Sequence, residues 1–149
     1  MTSLLGKRSS MVLFHNEIGH QSHKVRIVLS EKGITADLEP LDPENLPKEI
    51  LEVNPKGFLP LLIDRELALY KSQLIVEYLD ERFPHPPLLP VYPVARAQTR
   101  LILHRVEEEW TYHVDILEDT TSSTAKKNSS RKELRKNIIN SMMLFDGSE

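Results

Sequence analysis

Five of the ten prolines in this chain fall within ten residues, in Pro84-His85-Pro86-Pro87 and on through Pro90 to Pro93. Proline has no amide hydrogen and a fixed φ, so this stretch is neither a helix interior nor a central strand. It reads as a stiff connector that divides the 149 residues into two stretches, each with its own apolar pattern. The expected organisation is a domain over residues 1–85, a proline-rich linker over 86–95 and a helical region over 96–149. A chain of this length, with 40% hydrophobic residues, can bury a core.

Before the connector the pattern alternates. Met11-Val12-Leu13-Phe14 reads as a short strand, and Val25, Val28 and Leu29 recur at helical spacing up to Gly33, the expected C-cap. Residues 34–41 read as a second strand, and residues 46–51 as a short helix with Pro47 in its first turn. Asn54-Pro55-Lys56-Gly57 is a turn by its residue types. Two apolar runs around Asp64-Arg65-Glu66 then make a hairpin with a three-residue turn. From Ser72, a plausible N-cap, the apolar positions Leu74, Ile75, Tyr78, Leu79 and Phe83 follow a helix. The order βαβαββα makes an α/β fold, a mixed sheet with helices on its faces.

Beyond the connector, Leu103, Val106, Trp110, Val114 and Leu117 form one stripe of a long continuous helix. Residues 120–130 read as a loop. A second helical pattern follows over 131–145 through Leu134, Ile138, Met142 and Phe145. Two helices with apolar stripes call for partners: further helices, another subunit or both.

Composition narrows the chemistry. Without cysteine there is no disulfide, thiolate nucleophile, thiolate metal site or iron–sulfur cluster. A net charge of −3 gives no broad basic face for nucleic acid. The only basic cluster is Lys126, Lys127, Arg131, Lys132, Arg135 and Lys136, either a solvated helix face or a secondary contact to DNA. The six histidines offer no metal site: His20 and His23, and His104 and His113, lack a clear third ligand. No stretch approaches the roughly 20 apolar residues of a membrane helix. No signal-peptide pattern opens the chain, so the cytoplasm is the expected compartment.

The element order, Val25-Arg26-Ile27-Val28-Leu29 with Glu31-Lys32-Gly33, Asn54-Pro55, Pro60 ahead of a strand and the serine opening the last helix resemble one known domain. It is the thioredoxin-like N-terminal domain of the glutathione transferase superfamily. Tyr78-Leu79-Asp80-Glu81-Arg82-Phe83 running into the proline-histidine motif, with Leu89-Pro90-Val91-Tyr92-Pro93-Val94-Ala95-Arg96, resembles a narrower group. That group is the stringent starvation protein A branch, bacterial regulators associated with RNA polymerase. The resemblance runs from about residue 11 onward. It implies a thioredoxin-like domain followed by the first helices of an all-α second domain that is cut short.

What the resemblance implies can be set against the residues. In such a domain the reactive group sits at the start of the first helix, here Glu17-Ile18-Gly19-His20-Gln21-Ser22-His23, where amides and the helix dipole favour an anion. Ser22 there either caps the helix or polarises a glutathione thiol, as in serine-type transferases. Pro60 matches the family's cis proline, which exposes Leu59 for pairing with a peptide-like ligand. Ser72 keeps the hydroxyl expected at the glutathione site, whereas Lys71 stands where an acidic residue would hold the ligand's ammonium group. Leu59, Pro60, Lys71 and Ser72 thus read as a vestigial glutathione-type site, and no cofactor is expected. The resemblance makes Pro84, His85, Pro86 and Pro87 a surface patch for the polymerase and its sigma factor, extended by Tyr92 and Arg96. A preordered proline segment loses little entropy on binding. The expected function is a non-catalytic, homodimeric transcription regulator linked to starvation and stress; the alternative is a glutathione-dependent transferase using Ser22.

Overall fold

Val12-Leu13-Phe14-His15 has no exposed residue, and the computed structural model, which describes residues 11–145, places it as β1 in the interior of a sheet. The sheet has the order β2-β1-β3-β4. Strand β2 (Asp37–Pro40) pairs parallel to β1, β3 (Leu61–Asp64) pairs antiparallel to β1, and β4 (Leu67–Tyr70) closes a hairpin with β3. Side chains alternate across a strand, so β1 and β3 each feed two cores. Leu13 and Leu62 join Val25, Val28 and Leu29 of α1 (His20–Glu31) and Ile75 and Leu79 of α3 (Ser72–Arg82). Val12, Phe14, Leu61 and Ile63 meet Ile50 of α2 (Lys48–Val53) on the opposite face. The βαβαββα α/β order is the expected one.

Several local boundaries differ from the sequence pattern, each for a stated reason. Helix α1 is capped by Lys32, and Gly33 takes φ +61° one position later. Gly33 N–H donates to the Ser30 carbonyl at 3.1 Å and Ile34 N–H to that of Leu29 at 2.9 Å, the two bonds of a Schellman closure. Ile34 therefore belongs to the helix end, and β2 begins only at Asp37, not at residue 34. Pro47 stands at the N-cap of α2 rather than inside its first turn. The hairpin turn has two residues, because Asp64 pairs directly with Leu67 and Arg65 takes φ 56°. Asn54, fully buried, closes the turn before the sheet: its side chain donates to the Phe58 carbonyl at 2.6 Å and accepts from the Phe58 amide at 3.3 Å.

The chain divides between Leu88 and Leu89 into two compact units. In the second, α4 (Pro93–Val106) runs through a π-helical turn, Glu107–Thr111, into α5 (Tyr112–Glu118), so the expected long helix is present with one wider turn inside it. After a turn at 119–123, α6 covers Thr124–Phe145 and takes in residues 124–130 of the segment read as a loop. The Ser123 hydroxyl accepts the Lys126 amide at 3.2 Å, and the buried Ser130 hydroxyl meets His113 Nδ1 at 3.2 Å, so capping and packing override poor helix propensity. No described apolar side chain of this unit is fully buried; Leu101, Ile102, Tyr112, Ile139, Met142 and Met143 are exposed. The side chains of Leu144 and Phe145 and residues 1–10 and 146–149 lie outside the described residues. No described helix is long and apolar enough to cross a membrane.

Replacing Asn54 by Ala removes both hydrogen bonds between its buried side chain and the Phe58 backbone and is expected to cost about 1–3 kcal/mol. Urea denaturation of the full chain reads it as a lower midpoint at unchanged slope.

Candidate functional site

Most of the residues singled out by sequence fall in two regions of the first unit. One lies at the carboxyl end of β1 and the start of α1. The turn between them is tied from several sides: Ile18 N–H donates to Asn16 Oδ1 at 3.1 Å, and Arg26 donates to the Asn16 carbonyl at 2.8 Å and to His15 Nδ1 at 2.9 Å. Arginine has no acceptor, so Nδ1 of His15 must be unprotonated in this bond. Burial, and then the Arg26 charge, hold the His15 imidazole below its ordinary 6.5.

Helix α1 starts at His20 with Gly19 as its N-cap. Ser22 is therefore not a cap. It sits in the first turn, 1% exposed, and its hydroxyl accepts the Asn16 amide at 3.0 Å. A thiol cannot reach a hydroxyl so enclosed without displacing the turn above it, which weighs against the catalytic role considered for Ser22.

The Leu59–Pro60 peptide is cis and Pro60 is buried, with Leu59 half-buried beside it. Lys71 caps α3 at φ 72°, ψ 119°, a conformation that costs an ordinary side chain about 1–3 kcal/mol. Its exposed ammonium lies 5.0 Å above the Phe58 ring, an attractive cation–ring contact. Ser72 follows as the first helical residue rather than the cap, and its hydroxyl donates to Gln21 Oε1 of α1. Lys24 Nζ donates to Gln73 Oε1 at 2.7 Å, so side chains of α1 and α3 already satisfy one another. Leu59 and Pro60, just before β3, and Lys71 and Ser72, just after β4, thus flank the β3–β4 hairpin, in a setting that presents a cation.

The other region is the connector. Pro84, His85, Pro86 and Pro87 are all exposed, and the peptide between His85 and Pro86 is cis. Beneath them Lys32, its side chain with no exposed surface, donates to the Phe83 carbonyl at 2.6 Å and the Pro86 carbonyl at 2.7 Å and pairs with Asp80 at 2.7 Å. The Leu88 amide donates to the same Asp80 oxygen at 2.9 Å. An open recess of about 470 Å³ lies between residues 32–35 and 82–85. Arg82 is held beside it, by Asp64 at 2.9 Å and by the Phe83 ring at 4.9 Å. Lys32 escaped notice in the sequence, because a lysine in the last turn of a helix ordinarily faces solvent and answers the dipole. The only signal was its place just before Gly33.

In the second unit, Tyr92 is 78% exposed at the N-cap of α4 and its carbonyl accepts the Arg96 amide at 2.9 Å. Arg96 Nε and Trp110 Nε1 are buried without a hydrogen-bond partner. All six residues of the basic cluster fall on α6. Arg131, Lys132, Arg135 and Lys136 line an open groove of about 540 Å³ with Asn128 and Ile139. No three acidic or histidine side chains among the described residues are grouped as a metal would require.

With this geometry in view, the comparisons are specific. Residues 13–87 match the family model for the glutathione S-transferase N-terminal domain. A stringent starvation protein A homolog of Pasteurella multocida is 47% identical over 139 residues, 93% of this chain and 65% of that protein. One from Histophilus somni is 43% identical over 149 residues, 99% of this chain and 69% of the relative. The chain belongs to the stringent starvation protein A family. It spans about two thirds of the length of these relatives. The fold is shared with the glutathione transferase Omega 3C of Trametes versicolor, with a TM-score of 0.75 at 24% identity over 88% of this chain and 57% of that one.

Stability should fall with acidity through His15. Its folded pKa lies below the unfolded value, so the contribution is complete above 6.5 and is lost as pH drops through the lowered folded value. Between pH 7 and 5 the denaturation midpoint of the full chain is expected to decline. It should decline less in His15→Gln, whose amide oxygen can still accept from Arg26.

Proposed function

We propose that this chain is a non-catalytic regulator of bacterial transcription, active under starvation and stress, that binds RNA polymerase and its sigma factor through Pro84, His85, Pro86 and Pro87. The observation that carries the reading is the contrast between the two regions of the first unit. The connector offers flat proline rings and one imidazole to solvent on a frame tied from below, the kind of preordered surface that binds at small entropic cost. The candidate thiol-activating hydroxyl, Ser22, is buried and engaged. Kinship with stringent starvation protein A homologs of Pasteurella multocida and Histophilus somni supports the same reading.

Tyr92 and Arg96 extend the surface in this proposal, since aromatic and arginine side chains anchor interfaces well. The chain works as a homodimer in the cytoplasm, a second copy covering the exposed apolar side chains of α4. The basic face of α6 supplies a secondary contact to the DNA backbone, recognisable by a steep fall of affinity with salt. We divide the molecule into a thioredoxin-like domain over 1–85, a linker over 86–95 and the first helices of an all-α domain over 96–149.

Pull-down of polymerase holoenzyme by the full chain is the decisive experiment. Replacing Pro84, His85 and Pro86 with alanine is expected to abolish it, and undiminished capture would remove the assigned surface. Sedimentation of the same samples tests the dimer, which a monomer at high concentration would contradict.

The competing reading, a glutathione transferase using Ser22, is favoured by the cis Leu59–Pro60 peptide and by the fold. Against it stand the Lys71 cation where an ammonium group would sit and the Ser72 hydroxyl already given to Gln21. Titration calorimetry with millimolar glutathione is expected to give only heats of dilution. Clear binding, with conjugating activity lost in Ser22→Ala, would reverse the choice.

A further inference from the structure

The segment from Phe83 to Leu88 is poor in donors. Pro84, Pro86 and Pro87 have no amide hydrogen, so carbonyls along this stretch must find donors from elsewhere or from water. Lys32 supplies them from the end of α1. Its ammonium has three hydrogens and three partners: the carbonyls of Phe83 and Pro86, on either side of His85, and the Asp80 carboxylate. Asp80 in turn accepts the amide of Leu88. One ion pair therefore holds the segment at 83, 86 and 88 while the His85 side chain between them stays exposed.

Stability alone does not call for such a pair. A buried ion pair replaced by apolar side chains of similar volume is often neutral or even stabilising, whereas removing one partner leaves a costly orphan charge. What no apolar pair can do is donate to the carbonyls of a proline-rich segment. We propose that Lys32, with Asp80 as its counter-charge, is a positioning residue that sets the form in which residues 83–88 are presented to a partner. The recess beside residues 82–85 is bounded by the same lysine, so the clamp also sets the shape next to His85. This rests on the reading of residues 84–87 as a contact surface, and the test separates the two.

Two variants of the full chain are compared with the starting protein: Lys32→Met, and Lys32→Met combined with Asp80→Leu. Three quantities are read on each: the melting temperature, the NMR shifts of the His85 amide and ring, and the affinity for polymerase holoenzyme. Lys32→Met is expected to melt earlier, to move the His85 shifts toward those of a free peptide of the same sequence, and to bind at least tenfold more weakly. The double variant, free of any orphan charge, should regain its melting temperature yet keep the displaced shifts and the tenfold loss. Native shifts and affinity in the double variant would make the pair merely structural and overturn the proposal. So would shifts and affinity that fail to move together. If the starting protein does not bind polymerase at all, the assigned function fails, while the His85 shifts still decide whether Lys32 shapes the segment.

Discussion

The first unit depends on two strands that are buried on both faces. β1 and β3, four residues each with no exposed residue, contribute Leu13 and Leu62 to one core and Val12, Phe14, Leu61 and Ile63 to the other. A single-residue slip in the register between them would exchange the two sets, pushing Phe14 toward α1 and α3 and Leu13 toward α2. That double constraint fixes where both strands end, and the ends are where the polar work is done. His15, Asn16 and Arg26 organise the exit of β1, and Asp64 at the exit of β3 binds Arg82 and Tyr78 of α3.

Around this sheet the same problem recurs: backbone groups in irregular segments must be satisfied from a distance. Asn54 does it for the turn at 54–58, Arg26 for the turn after β1, and Lys32 for the connector. Each is a polar side chain carried on a regular element or at its edge and aimed at a loop. Loops that touch the surface are thereby given one conformation without a core of their own. The sites held in this way bracket both candidate regions.

Much of this was legible in the sequence. The spacing of Val25, Val28 and Leu29, and of Ile75 and Leu79, put those residues in the core, and the residue types at 54–57 marked a turn. Patterns of this kind report burial, which is regular along an element. Capping and buried polar pairs are not regular, and there the reading was incomplete. A serine near a helix start looks like a cap, yet Ser22 and Ser72 lie inside their helices because Gly19 and Lys71 take the N-cap conformations. Lys32 carries no sequence mark that separates it from a solvated lysine, since its partners lie about fifty residues away.

The π-helical turn at Glu107–Thr111 has a consequence for how the second unit meets its surroundings. Successive residues of an α-helix are turned by about 100°, and one additional residue in a turn advances everything after it by that angle. Leu101, Ile102 and Leu103 before the turn stand in solvent, while α5 after it packs on α6, where Asn137 reaches back to the Glu109 carbonyl at 2.8 Å. The apolar stripe nevertheless runs through the turn, since Val106 before it, Trp110 within it and Val114 and Leu117 after it are all half-buried. A helix that keeps its stripe across an additional residue absorbs the added rotation inside that one turn.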